Sequence, residues 1–176
     1  MSVVDVIVPC YGYARYLEEC VHSVLSQRDV EVRVLVIDDA SPDNCSEVAN
    51  LLRASDSRVH LITHTKNQGH IRTYNEGIAW ASADYMLLLS ADDYLLPGAL
   101  GRAVALMEQH AQVGMVYGKA IEFFDAGDGG ARPEVPASSG TAEIVDGAGF
   151  VEASGIRNIV PTPTAPAVCG RWPDRW

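Results

Sequence analysis

Asp38-Asp39 and Asp92-Asp93 each close a run of aliphatic residues, and each is followed within a few residues by a proline that can open a helix. The first run reads Val34-Leu35-Val36-Ile37-Asp38-Asp39-Ala40-Ser41-Pro42. The second reads Met86-Leu87-Leu88-Leu89-Ser90-Ala91-Asp92-Asp93-Tyr94-Leu95-Leu96-Pro97. Parallel strands buried on both faces have this composition, and open α/β sheets take their ligands beyond the carboxyl ends of such strands. Four acids at one sheet edge suit a divalent cation and a sugar-nucleotide better than they suit a core, where an unpaired charge is costly.

The two pairs differ in what they say alone. A carboxylate just past a strand can accept hydrogen bonds from a base edge or from ribose hydroxyls, but Asp is also common in turns and caps, so Asp38-Asp39 alone reads more readily as structure. Ser41 and Asp43 share that ambiguity. Asp92-Asp93 follows strongly apolar residues, and hard oxygen ligands there suit Mg²⁺ or Mn²⁺, which would also contact a diphosphate. For this pair the site and a turn before a helix weigh equally.

Asn67-Gln68-Gly69-His70-Ile71-Arg72-Thr73-Tyr74-Asn75 precedes and opens a helical pattern. Gly69 permits close backbone approach, and a helix amino terminus offers free amides to an anion. Arg72 could reach a base or a phosphate, with Asn75 on nearly the same side. By itself the segment also reads as a glycine turn with a solvated arginine. In Val8-Pro9-Cys10-Tyr11-Gly12-Tyr13 a tyrosine at a strand end could stack on a nucleobase or pack as a loop aromatic. His22, His60, His64 and His110 show no ligand spacing and read as ordinary residues, and nothing near His70 marks it as a base.

The elements that must carry these residues follow from periodicity. Residues 3–8 and 32–37 read as strands, as do Val59–Ile62, 85–89 and Val113–Tyr117. Leu17, Cys20, Val21, Val24 and Leu25 repeat at helical spacing, as do Cys45, Val48, Ala49 and Leu52 after a helix start at Ser41-Pro42. Ile71, Tyr74, Ile78 and Ala81 mark a third helical face, and Leu100, Ala103, Val104 and Met107 a fourth, starting near Pro97. Strand and helix in alternation with short links predict an α/β fold, a mainly parallel doubly wound sheet with helices on both faces. Residues 1–117 are expected to form the nucleotide-sugar-binding subdomain, and 118–176 a partial acceptor-side region. In the latter, Ala120–Phe124 reads as a strand, 125–140 as a mobile loop rich in Gly, Pro, Ser and Ala, Val145–Ser154 as a short helix and Ile159–Val168 as extended.

Composition narrows the functional classes. The chain has 176 residues, 48% of them apolar, enough for one domain with a sizeable core. With 23 acids against 13 bases, no nucleic-acid partner is expected. Cys10, Cys20, Cys45 and Cys169 lack paired spacing, which speaks against a zinc site or disulfide scaffold and for a reducing, cytoplasmic compartment. Strand-like sequence begins almost at Met1, so no signal peptide is expected, and no apolar stretch reaches the roughly 18 residues needed to span a bilayer.

In order and spacing these pieces resemble the family 2 glycosyltransferases, inverting enzymes of the GT-A fold. The resemblance runs from Val3 to about Tyr117 through Ile7-Val8-Pro9-Cys10-Tyr11, Ser23-Val24-Leu25-Ser26-Gln27, Val36-Ile37-Asp38-Asp39-Ala40-Ser41-Pro42-Asp43, Asn67-Gln68-Gly69, Asn75-Glu76-Gly77-Ile78 and Ala83-Asp84-Tyr85 through Asp93. It implies that Pro9 and Tyr11 line the base and ribose pocket, that Asp38 or Asp39 binds the nucleobase or ribose, that Gly69 and Arg72 help hold the nucleotide, and that Asp92 and Asp93 take the metal-and-ribose role of the Asp-x-Asp motif. The implied cofactor is Mg²⁺ or Mn²⁺, bridging the diphosphate as the sugar leaves. The implied partners are a nucleotide-sugar donor, a UDP-sugar by preference, and a carbohydrate or lipid-linked acceptor. The setting would be polysaccharide biosynthesis in the cytoplasm, with room for peripheral association at the inner face of the membrane.

Two departures from the family pattern stand out. Many members carry Asp-x-Asp-Asp where this chain has Ser90-Ala91-Asp92-Asp93. An acidic base, often in a Glu-Asp pair, usually follows in the acceptor half, yet after Asp146 the acids are Glu152 and Asp174, neither in a matching motif. No catalytic base is therefore assigned, and the ending from Cys169 to Trp176 reads as truncated or frameshifted. The alternative reading is a nucleotide-sugar-binding fragment without turnover. A receiver domain would want an acid after the third strand, where Ile62-Thr63-His64 stands, and a nucleotidyltransferase a glycine-rich, arginine-containing loop after the first, where Pro9 to Tyr16 stands.

Overall fold

The structure is a computed structural model that describes residues 1–118, 121, 142–156 and 168–170. Two compact units divide the chain, Met1–Tyr117 with Pro166–Trp176, and Gly118–Ala165.

In the first unit the hydrophobic runs become strands. β1 (Val3–Cys10), β2 (Glu31–Asp38), β3 (Val59–Thr63) and β4 (Tyr85–Leu88) are joined by α1 (Ala14–Leu25), α2 (Cys45–Ser55) and α3 (His70–Trp80); α4 (Ala99–Gln109) follows, then β5 (Met115–Val116). The sheet order is β3-β2-β1-β4-β6-β5, where β6 (Val168–Cys169) lies antiparallel to both β4 and β5. The other pairings, β1 with β2, β1 with β4 and β2 with β3, are parallel. The predicted mainly parallel sheet is thus observed, with an antiparallel margin. β6 was not foreseen, because two residues inside a proline-rich stretch carry no periodicity.

Both faces of the sheet are covered. Val4, Val6 and Val8 of β1 and Val32, Val34 and Val36 of β2 bury against Leu17, Val21 and Val24 of α1, Ala49 and Leu52 of α2, and Leu100 and Val104 of α4. Ile7, Leu35 and Ile37 point the other way, with Trp80 and Ala81 at the end of α3. The predicted faces of α1, α2 and α4 agree with this.

The predicted face of α3 does not. Ile71 and Ile78 are 67% and 41% exposed, and the buried residues are Thr73 and Gly77. The helix lies so near β1 that a Cβ at Gly77 would collide with the Ile7 side chain. Close approach, rather than an apolar stripe, holds this helix to the sheet.

Two helix starts also differ from expectation. α2 begins at Cys45 rather than at Ser41-Pro42, because Asp38 Oδ1 accepts the Ser41 N–H and Ala40 takes a positive φ of 58°, which turns the chain first. α4 begins at Ala99, beyond Pro97, with Gly98 in the left-handed region. β5 has two residues where Val113–Tyr117 was expected.

In the second unit, α5 (Gly147–Ile156) lies near the predicted Val145–Ser154 helix, its first turn held by Asp146 Oδ1 accepting the Gly149 N–H at 2.7 Å. The expected strand at Ala120–Phe124, the loop 125–140 and most of the extended Ile159–Val168 segment lie outside the described residues. Among the described residues, no helix is long and apolar enough to cross a membrane.

Candidate functional site

The parallel register brings the two acid pairs to one rim. Cys10 at the end of β1 pairs with Asp38 at the end of β2, and Ile7 pairs with Leu88 at the end of β4. The Leu89 N–H still donates to the Ile7 carbonyl at 2.9 Å, and the Ser90-Ala91-Asp92-Asp93 turn follows at once. β2 and β4 flank β1, so the strands that lead into the two pairs run two strand spacings apart, about 10 Å. This is also where the strand order reverses, the place at which open α/β sheets form a ligand crevice.

Asp38 and Asp39 are both buried, at 2% and 4% exposure. Asp38 Oδ1 shapes the turn by accepting the Ser41 N–H at 2.9 Å. Asp39 gathers more: Oδ1 accepts the Gln68 N–H at 2.7 Å and meets His64 Nδ1 at 2.6 Å, and Oδ2 accepts the Gly69 N–H at 2.9 Å. Burial alone would raise its carboxyl, but the His64, Gln68 and Gly69 donors outweigh burial and hold it below the ordinary carboxylate range. Asp39 is therefore the anchor of the loop before α3.

Ser41 and Asp43 do structural work at the same rim. Ser41 Oγ accepts the Gly12 N–H at 3.2 Å. Asp43 accepts the Ala14 N–H through Oδ2 at 2.9 Å and the Cys45 N–H through Oδ1 at 3.1 Å, joining the starts of α1 and α2. Tyr11, half exposed, and partly buried Pro9, level with Ile37, border the same edge.

The second pair stands on a turn held from beneath by α1. Cys20 Sγ donates to the Ser90 carbonyl at 3.5 Å, Ser23 Oγ accepts the Leu95 N–H at 2.9 Å, and Gln27 Nε2 donates to the Leu96 carbonyl at 3.0 Å. Gln27 Oε1 also accepts the Leu100 N–H at 3.2 Å. The Ser23-to-Gln27 segment, the end of α1 and the two residues after it, thus positions the turn that carries Asp92 and Asp93. Asp92 is exposed and Asp93 partly buried, and burial together with the Asp92 charge pushes the Asp93 carboxyl up to about 6.

Two hard carboxylates that repel one another fit a divalent cation, which would relieve both burial and repulsion. No group of three metal-ligating side chains occurs among the described residues. Mg²⁺ is often bound by one or two carboxylates with substrate phosphates and waters completing the shell, and this donor set matches that mode.

On the other flank, Gln68, Arg72, Asn75 and Glu76 line an open cleft of about 390 Å³. Arg72 and Asn75 do share a side of α3, and Gly69 sits at its start with φ 84°. A larger cleft of about 530 Å³, lined by residues including Val3, Glu31, Arg33 and Arg58, lies at the amino ends of the strands, away from the acids.

Sequence reasoning missed His64 and Glu76. His64 is buried, with Nδ1 at Asp39 and Nε2 at 2.7 Å from Glu76 Oε2. Its available signal was position: it directly follows Thr63, whose register partner is Asp38, so it stands beside an acid pair at a strand end.

Comparison with known proteins matches residues 5–146 to a family described as Glycosyl transferase family 2. Glycosyltransferase GlyG of Streptococcus pneumoniae is 31% identical over 92 residues, 52% of this chain and 31% of the relative. Putative glycosyltransferase EpsE of Bacillus subtilis is 32% identical over 136 residues, 76% of this chain and 49% of the relative. The chain thus spans about a third to a half of these relatives. Among solved structures, the mannosyltransferase PcManGT from Pyrobaculum calidifontis, in complex with GDP-Man and Mn²⁺, superposes with a TM-score of 0.57 at 25% identity, covering 64% of this chain and 34% of the other. S. aureus TarS 1-349 gives 0.58 at 23% identity, covering 70% and 39%, a likeness of fold.

Proposed function

This chain belongs to glycosyl transferase family 2, and from that premise we propose that it binds a nucleotide-sugar, a UDP-sugar by preference, and transfers the sugar with inversion to a carbohydrate or lipid-linked acceptor. The observation that carries the reading is the convergence of Asp38-Asp39 and Asp92-Asp93 on one rim around β1. A neighbour solved with GDP-Man and Mn²⁺ supports both a nucleotide-sugar and a divalent metal.

In this reading Tyr11 and Pro9 border the nucleobase, and Asp38 reaches the base or ribose. Asp39 acts by holding the Gln68-Gly69 loop in place. Arg72, lining its cleft with Gln68, attracts the donor's phosphates, and Asp92 and Asp93 hold Mg²⁺ or Mn²⁺. When bound, the ion supplies positive charge where the diphosphate leaving group develops its own. Inversion needs a base in hydrogen-bond reach of the acceptor hydroxyl, and none of the described residues is assigned to it. The four cysteines, none in a disulfide, fit a reducing cytoplasm, and a lipid-linked acceptor would place the reaction at the inner face of the membrane, in polysaccharide synthesis.

Calorimetric titration tests the site. UDP, UDP-sugars and GDP-mannose are titrated with and without Mn²⁺ into the wild type and into Asp92→Ala and Asp93→Ala. Loss of metal-dependent binding in folded variants is expected, and unchanged binding would remove the pair from the site. Transfer or slow hydrolysis of a bound donor separates the enzyme from a fragment that only binds.

A further inference from the structure

His64 stands between two carboxylates that belong to different elements. Nδ1 lies 2.6 Å from Asp39 Oδ1, past the end of β2, and Nε2 lies 2.7 Å from Glu76 Oε2 on α3. Ionised carboxylates only accept hydrogen bonds, and a neutral imidazole has a single N–H to give. Both short contacts are attractive together when the ring carries both protons. A neutral ring would turn a lone pair toward one of the acids.

The same acid that meets Nδ1 also takes the Gln68 and Gly69 amides, and the Gly69 carbonyl accepts from both the Thr73 N–H at 3.2 Å and the Thr73 hydroxyl at 3.1 Å. The ring therefore ties both the start of α3, through Asp39, and its middle, through Glu76, to the strand rim. Gln68, Arg72, Asn75 and Glu76, the lining of the cleft beside the acids, all lie on that segment.

We propose that His64 is a positioning residue for the donor: as an imidazolium it clamps α3 to Asp39 and holds the Arg72 cleft in its binding shape, so that loss of the ring proton weakens nucleotide binding. This rests on the donor-binding reading above and adds to it a residue and a pH dependence. The charged groups acting on the ring are Asp39 and Glu76, both acidic; on β3, which ends just before it, His60 faces the Trp80 ring at 5.4 Å, and Lys66, two residues on, is exposed. Burial opposes the ring's charge, but the two acids outweigh it and raise the pKa above the ordinary value of 6.5. The clamp is thus complete below the unfolded value and is lost as pH rises through the raised folded one.

The test follows the ring and the ligand together in the full chain. NMR reads the His64 ring and the Gln68 and Gly69 amides from about pH 6 to about pH 9, spanning the ordinary histidine range and above. Calorimetry measures UDP and GDP, each with Mg²⁺, over the same range. The two amides are expected to titrate with the ring, and Kd to rise beyond its midpoint by up to about tenfold per pH unit. His64→Gln is expected to bind weakly with a flatter profile, and Glu76→Gln, which leaves the ring in place should His64→Gln fail to fold, to move the midpoint to lower pH. Parallel binding profiles for wild type and either variant, or a ring that titrates below the ordinary histidine value, would overturn the clamp. If neither nucleotide binds at any pH while the ring and amides still titrate together, the donor reading fails and this role falls with it.

Discussion

The Gly69 N–H donates to Asp39 Oδ2 across 2.9 Å, although the two residues are 30 positions apart in the chain. The second acid of the first pair therefore meets the glycine loop directly and spends both carboxylate oxygens on its own protein. Replacing Asp39 by Ala would strand two backbone amides and the His64 ring in a buried place, at a cost of about 3 kcal/mol. Urea denaturation should show that loss, and nucleotide affinity should fall in the fraction that remains folded.

Gly69 and Gly77 make a contrasting pair. Nothing lies within 4 Å of a Cβ at Gly69, but its φ of 84° and ψ of 153° strain any L side chain, so Gly69→Ala should cost about 1–3 kcal/mol through the backbone. Gly77→Ala, whose Cβ meets Ile7, should cost a similar 1–3 kcal/mol through overpacking. Pairing each with Ile7→Ala separates the causes: it removes Cγ1 and Cγ2 of Ile7, the atoms nearest the new methyl, so it should cost less in the Gly77→Ala background than alone and should leave Gly69→Ala unrelieved. Denaturation midpoints of the double variants decide it.

Asp93 carries the sharpest pH prediction. Its carboxyl is raised to about 6, so at neutral pH the charge costs stability, and the cost disappears as pH falls through that value. Asp93→Asn should stabilise the metal-free chain at pH 7 by about 1 kcal/mol, the shift being reduced by solvent at this partly exposed turn. The same change should abolish Mn²⁺-dependent nucleotide binding, and in the wild type that binding should fade below pH 6 as the carboxylate protonates. Thermal melts and Mn²⁺ titrations at several pH values check both.

The Asp5–Arg33 pair should set acid stability without touching the site. Asp5 is fully buried and accepts from Arg33 Nε and Nη2 at 2.7 Å each, and from the Ser82 and Ala83 amides at 2.7 and 2.9 Å. Burial opposes its charge, but these donors prevail and lower its pKa, so its contribution is present above the ordinary carboxylate range and is lost as pH falls through the depressed value. Asp5→Ala strands the Ser82 and Ala83 amides while Arg33 stays partly in solvent, and it should cost about 1–3 kcal/mol, visible as an earlier urea midpoint, with the nucleotide affinity of the folded fraction unchanged.

Ser23 and Gln27 test how the end of α1 and the residues just after it support the Asp92-Asp93 turn. Ser23→Ala and Gln27→Ala each remove side-chain contacts to residues 95–100, and each should cost about 1–2 kcal/mol. Mn²⁺-dependent affinity should fall while metal-free binding changes little, as read by calorimetry.

Local pattern was sufficient for most of the architecture. The aliphatic runs, the helical stripes of α1, α2 and α4, and the acids at strand ends are short-range properties that a parallel α/β sheet must satisfy, so the rim and the residues on it could be read from the chain alone. Tertiary structure decided what those residues touch. α3 buries Thr73 and Gly77 rather than Ile71 and Ile78, because the distance between a helix and β1 is set by side chains on another segment. Ser41 and Asp43 join two helix starts, Asp39 anchors a loop, and Gln27 steadies a turn around position 96. His64 became a bridge because β2, β3 and α3 converge on it. Hydrogen bonds between segments far apart in the chain leave no period in the sequence, and only folding brings their donors and acceptors within reach.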